Sequence, residues 1–215
     1  MSGSEMKRIL LVDDHEVVRT GLKKMFEESV GAVLFDEASN ALEATDLVTA
    51  NQWDLVVLDI SLGHTSGLEL LKTIKRIAPR LPVLVLSMHS EEQYAVRAIK
   101  AGASGYVTKD TYALELVKAI NTVAEGGRYV SPALAEALGT AVQRTTNQSL
   151  HEGLSDREFE VMRLIGSGKT VTQIADLLSI SDKTVSTYRT RILEKTGLKN
   201  NAEVTRYAIE NHLAD

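Results

Sequence analysis

Apolar runs that each stop at a polar residue recur through the first 127 residues, and segments of helical spacing separate them. Lys7-Arg8-Ile9-Leu10-Leu11-Val12 is a short β-branched run closed by Asp13-Asp14, with Val17, Val18, Leu22, Met25 and Phe26 following at helical intervals. Residues 32–35 predict a second strand, and Leu42, Ala44, Leu47 and Val48 a second helix. The run Leu55-Val56-Val57-Leu58, with Trp53 just ahead, reads as a strand buried on both faces, and Asp59 stands where it stops. A third helix over 67–77 is ended by Pro79. A fourth strand, Pro82-Val83-Leu84-Val85-Leu86, stops at Ser87. Ser90-Glu91-Glu92-Gln93 is a capping box opening a helix to Ala101. A fifth strand over 103–107 runs into Thr108-Lys109-Asp110, and a helix from Tyr112 ends at Gly126-Gly127. Five alternations of strand and helix imply an α/β unit: a doubly wound, five-stranded parallel sheet with helices on both faces.

The pattern then changes. Ser131-Pro132 reads as an N-cap with proline at the first helical position, starting a helix through Val142. Residues 145–149 are polar and unpatterned, which places a flexible joint at about 145–153. Beyond it Ser155 with Glu158, and Thr170 with Gln173, make capping boxes, the first flanked by a Leu154/Phe159 hydrophobic staple. Asn200 with Glu203 makes a less standard third. Helices are predicted near 155–166, 171–178, 182–195 and 201–213, with no strand signal, so the second unit is all-α. The expected division is 6–127, a linker with a short helix over 128–153, and 154–215.

Composition narrows the function classes. With no cysteine, a disulfide scaffold or thiolate metal site is excluded, and the chain suits a reducing cytoplasm, its expected location. No apolar run approaches a membrane span, so no membrane partner is expected. Met1-Ser2-Gly3-Ser4-Glu5 carries no leader pattern, and Met6 is the expected natural start. The net charge of −5 speaks against nucleic-acid binding over the whole chain, yet residues 183–206 carry 6 basic against 2 acidic side chains.

Three carboxylates (Asp13, Asp14, Asp59), a hydroxyl (Ser87) and an ammonium (Lys109) fall at the carboxyl ends of the predicted strands, where open parallel sheets place their ligand crevice. Singly, each also reads as a cap or surface charge. Clustered carboxylates repel at low dielectric and call for a cation, and hard oxygen ligands favour magnesium. A carboxylate can then attack a phosphoryl group whose oxygens the metal and Lys109 neutralise, with Ser87 donating a hydrogen bond to the attached group. His15, His64 and His89 lie nearby in sequence, but without His-rich spacing they read as ordinary histidines rather than ligands.

These residues, with Lys-Ala-Gly-Ala-Ser-Gly-Tyr at 100–106, resemble the flavodoxin-like receiver domain of two-component response regulators over roughly residues 7–127. The resemblance implies that Asp59 is phosphorylated by a sensor histidine kinase. It implies that Asp13, Asp14, Asp59 and the backbone carbonyl of Ser61 bind magnesium, and that Ser87 and Tyr106 rearrange afterwards as switch residues. Burial alone would also account for a tyrosine on an edge strand. The chain departs from many receivers in carrying Gly63 where proline stands four residues after the acceptor Asp.

In the second unit, 170–178, the turn Ser179-Ile180-Ser181 and 182–195 have helix-turn-helix lengths. Val185, Tyr188, Ile192 and Leu193 fall on one side of the last helix. Lys183, Thr184, Ser186, Thr187, Thr190 and Arg191 fall largely outside, with Lys195 and Lys199 near its end, which suits a DNA groove as well as a solvated bundle face. Arg189 points elsewhere on the wheel. Leu154-Ser-Asp-Arg-Glu158, Ile174-Ala175 and Ser181-Asp-Lys-Thr-Val185 resemble the LuxR-type helix-turn-helix, and the whole chain a NarL/FixJ-family response regulator. Departures are Tyr188, where histidine is frequent, and Thr170-Val171-Thr172-Gln173.

The resemblance implies a phosphorylation-controlled transcription factor rather than an enzyme, binding double-stranded promoter DNA and dimerising when phosphorylated. Val204, Tyr207 and Ala208 form a stripe on the last helix that suits either a dimer contact or packing within the unit. The acidic first unit is expected to shield the basic helix until phosphorylation. A phosphatase would want a second carboxylate close after Asp59, and position 61 is Ser. A constitutive dimerisation scaffold would not need the intact five-residue site.

Overall fold

The computed structural model describes residues 7–29, 33–63, 65–88, 91–111, 113–132, 134–136, 139 and 149–214. The chain divides into two compact units, one ending at Gly139 and one after it.

In the first unit the strands are β1 (Lys7–Val12), β2 (Val33–Ala38), β3 (Leu55–Asp59), the short β4 (Ser61–Leu62) and β5 (Thr65–Ser66), β6 (Val83–Ser87) and β7 (Gly105–Thr108). The helices are α1 (Glu16–Ser29), α2 (Ala41–Ala50), α3 (Gly67–Ile77), α4 (Glu91–Lys100) and α5 (Ala113–Ala124). Five strands form one parallel sheet in the order β2-β1-β3-β6-β7. Alternate strand residues reach opposite faces. Ile9, Leu11, Leu55, Val57, Leu84, Leu86 and Val107 meet Leu22 and Phe26 of α1 and Leu116, Ala119, Ile120 and Val123 of α5 in one core. The intervening residues Leu10, Val56, Leu58 and Val85 are equally buried, as the doubly covered fold requires. β3 is central, and all five of its residues are buried.

The register explains how distant residues meet. Val12 pairs with Leu58, Asp59 with Leu86, and Ser87 with Thr108, so Asp13, Asp59, Ser87 and Lys109 all emerge at one edge of the sheet. The chain after β3 makes the antiparallel β4–β5 hairpin, absent from the expected pattern because two-residue strands leave no periodic signal. Its end lies so close to β3 that a Cβ on Gly67 would sit 2.3 Å from Ile60 Cα and 2.6 Å from the Asp59 carbonyl oxygen.

Other boundaries also differ. β2 continues through Asp36 and Glu37, because an edge strand exposes alternate residues and can be polar there. β7 starts at Gly105 rather than 103, since Ala103 still closes the α4 turn through its hydrogen bond to Ala98 O. Ser131 caps as expected, its Oγ accepting the Leu134 N–H at 3.0 Å. The remainder of that helix through Val142 includes residues outside the described ones, as are Ser90 and Tyr112. The linker expected from 128 does not begin there: Tyr129 bridges Gly105 at the sheet edge, its hydroxyl donates to Glu115 at 2.6 Å, and Leu134 is fully buried.

Among the described residues the second unit has helices and no strand; its α-helices are α6 (Asp156–Gly166), α7 (Val171–Leu178), α8 (Asp182–Thr196) and α9 (Asn201–Glu210). Both expected capping boxes form at Ser155/Glu158 and Thr170/Gln173. The third is displaced by one residue: Asn200 caps Glu203 N, but the Glu203 carboxylate accepts from Lys199 N. The last helix stops at Glu210, before His212 at positive φ, rather than at 213. Part of the expected flexible joint is ordered. Leu150–Gly153 is a 3-10 turn, and His151 packs between Phe159 and Tyr207, its Nδ1 2.9 Å from the Tyr207 hydroxyl. α6 and α9 approach closely at Gly166, where a Cβ would lie 2.6 Å from Ala208 Cβ.

Gly67→Ala forces backbone apart beneath Asp59 and is expected to destabilise the first unit by about 1–3 kcal/mol, as overpacking does. Urea unfolding checks this, and Gly21→Ala, where nothing lies within 4 Å of the added Cβ, should show no comparable packing loss.

Candidate functional site

Asp59 closes β3 with 2% of its surface exposed, and the protein provides for that carboxylate. Its Oδ1 accepts the Ser61 N–H at 2.9 Å, and its Oδ2 accepts from Lys109 Nζ at 2.7 Å. Lys109 donates equally to Asp13 Oδ2 at 2.7 Å, so one ammonium bridges carboxylates from β1 and β3 while its own backbone N–H binds Ser87 O. Burial dominates the electrostatics and pushes the Asp59 pKa up to about 6 against the opposing pull of Lys109. Lys109 moves the other way: despite burial, the Asp59 charge and the bonds to Asp13 and Asp59 raise its pKa, so it is charged whenever the site is ionised. Asp14 and Gly63 lie close together, Gly63 at φ +48 with its Cβ direction 3.6 Å from Asp14 Oδ2. Ser87 and Tyr106 are both fully buried.

The sequence pattern did not single out two members of this site. Arg19 donates through Nη1 to the Asp13 carbonyl oxygen at 2.7 Å and through Nε to Glu37 at 2.8 Å, pinning the β1 end to the β2 end. Glu37 is held below the usual carboxylate range by hydrogen bonds from Lys23 and Arg19. A basic residue on the first turns after the acidic pair was the available signal. His15, read as an ordinary histidine, lies in the cluster: its Nδ1 is 2.7 Å from Asp14 Oδ1 and 3.3 Å from Asp13 Oδ1. His64 and His89 lie outside the described residues.

In the second unit Val185 and Ile192 of α8 are fully buried, while Lys183, Ser186, Thr187, Thr190 and Arg191 are exposed and Thr184 is half-buried. Lys183, Thr184, Thr187, Tyr188 and Arg191 border one shallow depression along the helix. Thr187 and Thr190 hydroxyls donate to backbone carbonyls one turn back, which leaves their oxygens able to accept. Lys195 differs from the expected pattern: it donates to Glu158 Oε2 at 2.6 Å, and that carboxylate is buried. Burial raises the Glu158 pKa, but the bonds from Lys195 and Ser155 outweigh it and lower the value. Arg189 binds Asn201, and Lys199 is exposed beyond the Gly197 cap. Val204 and Ala208 are fully buried, so the stripe on α9 packs within its own unit and is not a free dimer contact.

Residues 9–121 match the response regulator receiver domain, and residues 152–208 match the bacterial regulatory proteins of the luxR family. Response regulator UvrY of Escherichia coli K12 is 33% identical over 211 residues, 98% of this chain and 97% of its own. Response regulator GacA of Pseudomonas viridiflava is 34% identical over 98% of this chain and 99% of its own. The chain is a response regulator of the NarL/FixJ family. Among solved structures, a LuxR-family response regulator from Aurantimonas is 37% identical, with a TM-score of 0.59 over 65% of this chain and 99% of its own. RcsB of Salmonella enterica, bound to the promoter P1flhDC in the presence of the phosphomimetic BeF3−, is 25% identical, with a TM-score of 0.59 over 94% of this chain and 97% of its own.

A receiver joined to a LuxR-type DNA-binding unit makes this response regulator a two-component regulator of transcription. The donor set fits a hard divalent cation: ligand atoms of Asp13, Asp14, His15 and Asp59 all lie within 4.8 Å of one another. Among the described residues, no helix is long and apolar enough to cross a membrane.

The raised Asp59 pKa makes its ionised form a cost to folding. The folded value lies above the unfolded one, so the cost is absent below about pH 4, grows as pH rises to about 6, and is complete above that. At about 1.4 kcal/mol per pKa unit it reaches up to about 3 kcal/mol. Asp59→Asn in chelator at pH 7.5 is therefore expected to unfold at higher urea than the parent chain. The difference should shrink toward pH 4, and an equal or lower midpoint at pH 7.5 would contradict the assignment of that cost.

Proposed function

We propose that Asp59 accepts a phosphoryl group from a sensor histidine kinase and that the modification promotes binding of α8 to promoter DNA. The observation that supports this best is the Asp59 carboxylate, rigidly set at the end of a buried strand with Lys109 bridging it to Asp13. One Asp59 oxygen attacks the phosphorus of a phosphohistidine. The new O–P bond forms as the N–P bond breaks, and the imidazole keeps that electron pair and takes a proton from solvent. Asp13, Asp14, Asp59 and the Ser61 carbonyl would hold magnesium, which would supply charge neutralisation for the phosphoryl oxygens. Lys109 keeps its place as the cation on the other side. The Ser61 N–H orients Asp59, and the Ser87 hydroxyl donates to the attached group as Tyr106 repacks behind it.

The basic face of α8 reads DNA. Lys183 and Arg191 meet phosphates, and Thr184, Ser186, Thr187 and Thr190 lie where base edges or phosphates come within reach. Lys199 adds to the field from beyond the helix. Lys195, paired with buried Glu158, instead holds α8 against α6. Dimerisation on phosphorylation would set two recognition helices one helical turn apart on paired half-sites. That RcsB was solved on a promoter with a phosphomimetic supports the coupling of the two units.

Incubation with acetyl phosphate and magnesium, read by intact mass, is expected to add one phosphoryl group to the parent chain and none to Asp59→Asn. A phosphoryl mass on that variant would move the acceptor elsewhere. Lys183→Ala and Arg191→Ala are each expected to weaken DNA binding and reduce the slope of log affinity against log salt by about 1. An unchanged slope would place the DNA surface elsewhere, whereas changes at Ser186 or Thr187 should alter which sequences are preferred.

A further inference from the structure

We infer that His15 is a ligand of the receiver's cation site, giving that site an imidazole nitrogen that admits borderline divalent ions such as nickel alongside magnesium. The inference rests on the reading of Asp13, Asp14 and Asp59 as the cation-holding carboxylates. His15 follows the acidic pair directly, and its backbone N–H donates to Asp13 Oδ1 at 2.8 Å, which ties its Cα to the carboxylates. Its ring nitrogen Nδ1 then lies 2.7 Å from Asp14 Oδ1 and 3.3 Å from Asp13 Oδ1. Nδ1 thus stands beside the Asp13 and Asp14 oxygens, and with Asp59 it belongs to a set of ligand atoms that all lie within 4.8 Å of one another.

The oxygens that face His15 are not those already held by lysine. Lys109 takes Asp13 Oδ2 and Asp59 Oδ2, whereas Nδ1 stands beside Asp13 Oδ1 and Asp14 Oδ1. The cluster therefore has a lysine side toward the sheet and a histidine side toward solvent. The His15 side chain is 67% exposed, so its ring can adjust to an entering ion without disturbing the core. Carboxylates and water suit magnesium, while an imidazole donor shifts preference toward nickel, zinc and similar ions. The competing role for His15 is to orient Asp14 by a hydrogen bond alone, which an amide side chain can also perform.

Calorimetric titration of the full chain with magnesium and with nickel separates these. Only the nickel heat that magnesium displaces is counted, which removes binding at the other histidines. In His15→Ala the ratio of nickel to magnesium affinity is expected to fall at least about tenfold, and in His15→Gln to stay equally low, because glutamine restores a hydrogen bond but not the imidazole nitrogen. A ratio unchanged in His15→Ala, or restored in His15→Gln, overturns the ligand role while leaving the carboxylate site intact. If Asp59→Asn binds magnesium as well as the parent chain, or the parent chain binds none, the carboxylate site itself is wrong and the His15 inference falls with it.

Discussion

The first unit depends on holding a carboxylate in a place that opposes its charge. Asp59 sits at the end of the central strand of the parallel sheet, and its ionised form is held there by Lys109 and the Ser61 N–H. Those groups come from different elements, so the sheet order is what makes the site: β1 supplies Asp13, β3 supplies Asp59, and β7 delivers Lys109 across β6. A buried ion pair contributes little net stability, since desolvation consumes most of the attraction; loss of Lys109 is costly because it leaves two buried carboxylates without their cation, whereas loss of the Asp59 charge leaves Lys109 its bond to Asp13. Such a site is therefore poised: a change of charge at Asp59 must be answered by movement of Lys109 or of the groups behind it.

The second unit uses the same physics for a different purpose. Glu158 is buried at the start of α6, where it completes a capping box and also takes the ammonium of Lys195 on α8. That bond ties α8 to α6, and Val185 and Ile192 bury one side of α8 in the core. Lys183 and Arg191 remain outward, and among the described residues neither is drawn into an ion pair, so their charge is available to a polyanion.

Much of this was legible in the sequence because the informative positions lie on long, regular elements. Leu55-Val56-Val57-Leu58-Asp59 and the matching runs before Asp13 and Ser87 report strand burial and strand end together, so the gathering of Asp13, Asp59 and Ser87 at one end of the sheet was readable from pattern. The capping residues Ser155, Thr170 and Ser131 also behave as their chemistry dictates. What escaped was set by tertiary approach rather than by local pattern. The hairpin at Ser61–Leu62 and Thr65–Ser66 is too short to show a period, and the close packing at Gly67 is invisible without the fold. Arg19 binds a backbone carbonyl, which no motif encodes. Lys195 is exposed like its neighbours, and helical spacing does not reveal that it pairs with a buried acid on another helix. His151 was assigned to a joint for its polar surroundings, although its ring packs between two aromatics.

The central claim is that charge chemistry at Asp59 controls what α8 does. Its most direct measurement is the affinity of the full chain for a duplex selected from a random-sequence pool, at fixed salt and with magnesium, with and without beryllofluoride. The account predicts that beryllofluoride tightens binding by at least about fivefold in the parent chain and leaves Asp59→Asn unchanged. Equal affinity with and without beryllofluoride in the parent chain, or the same gain in Asp59→Asn, would contradict it.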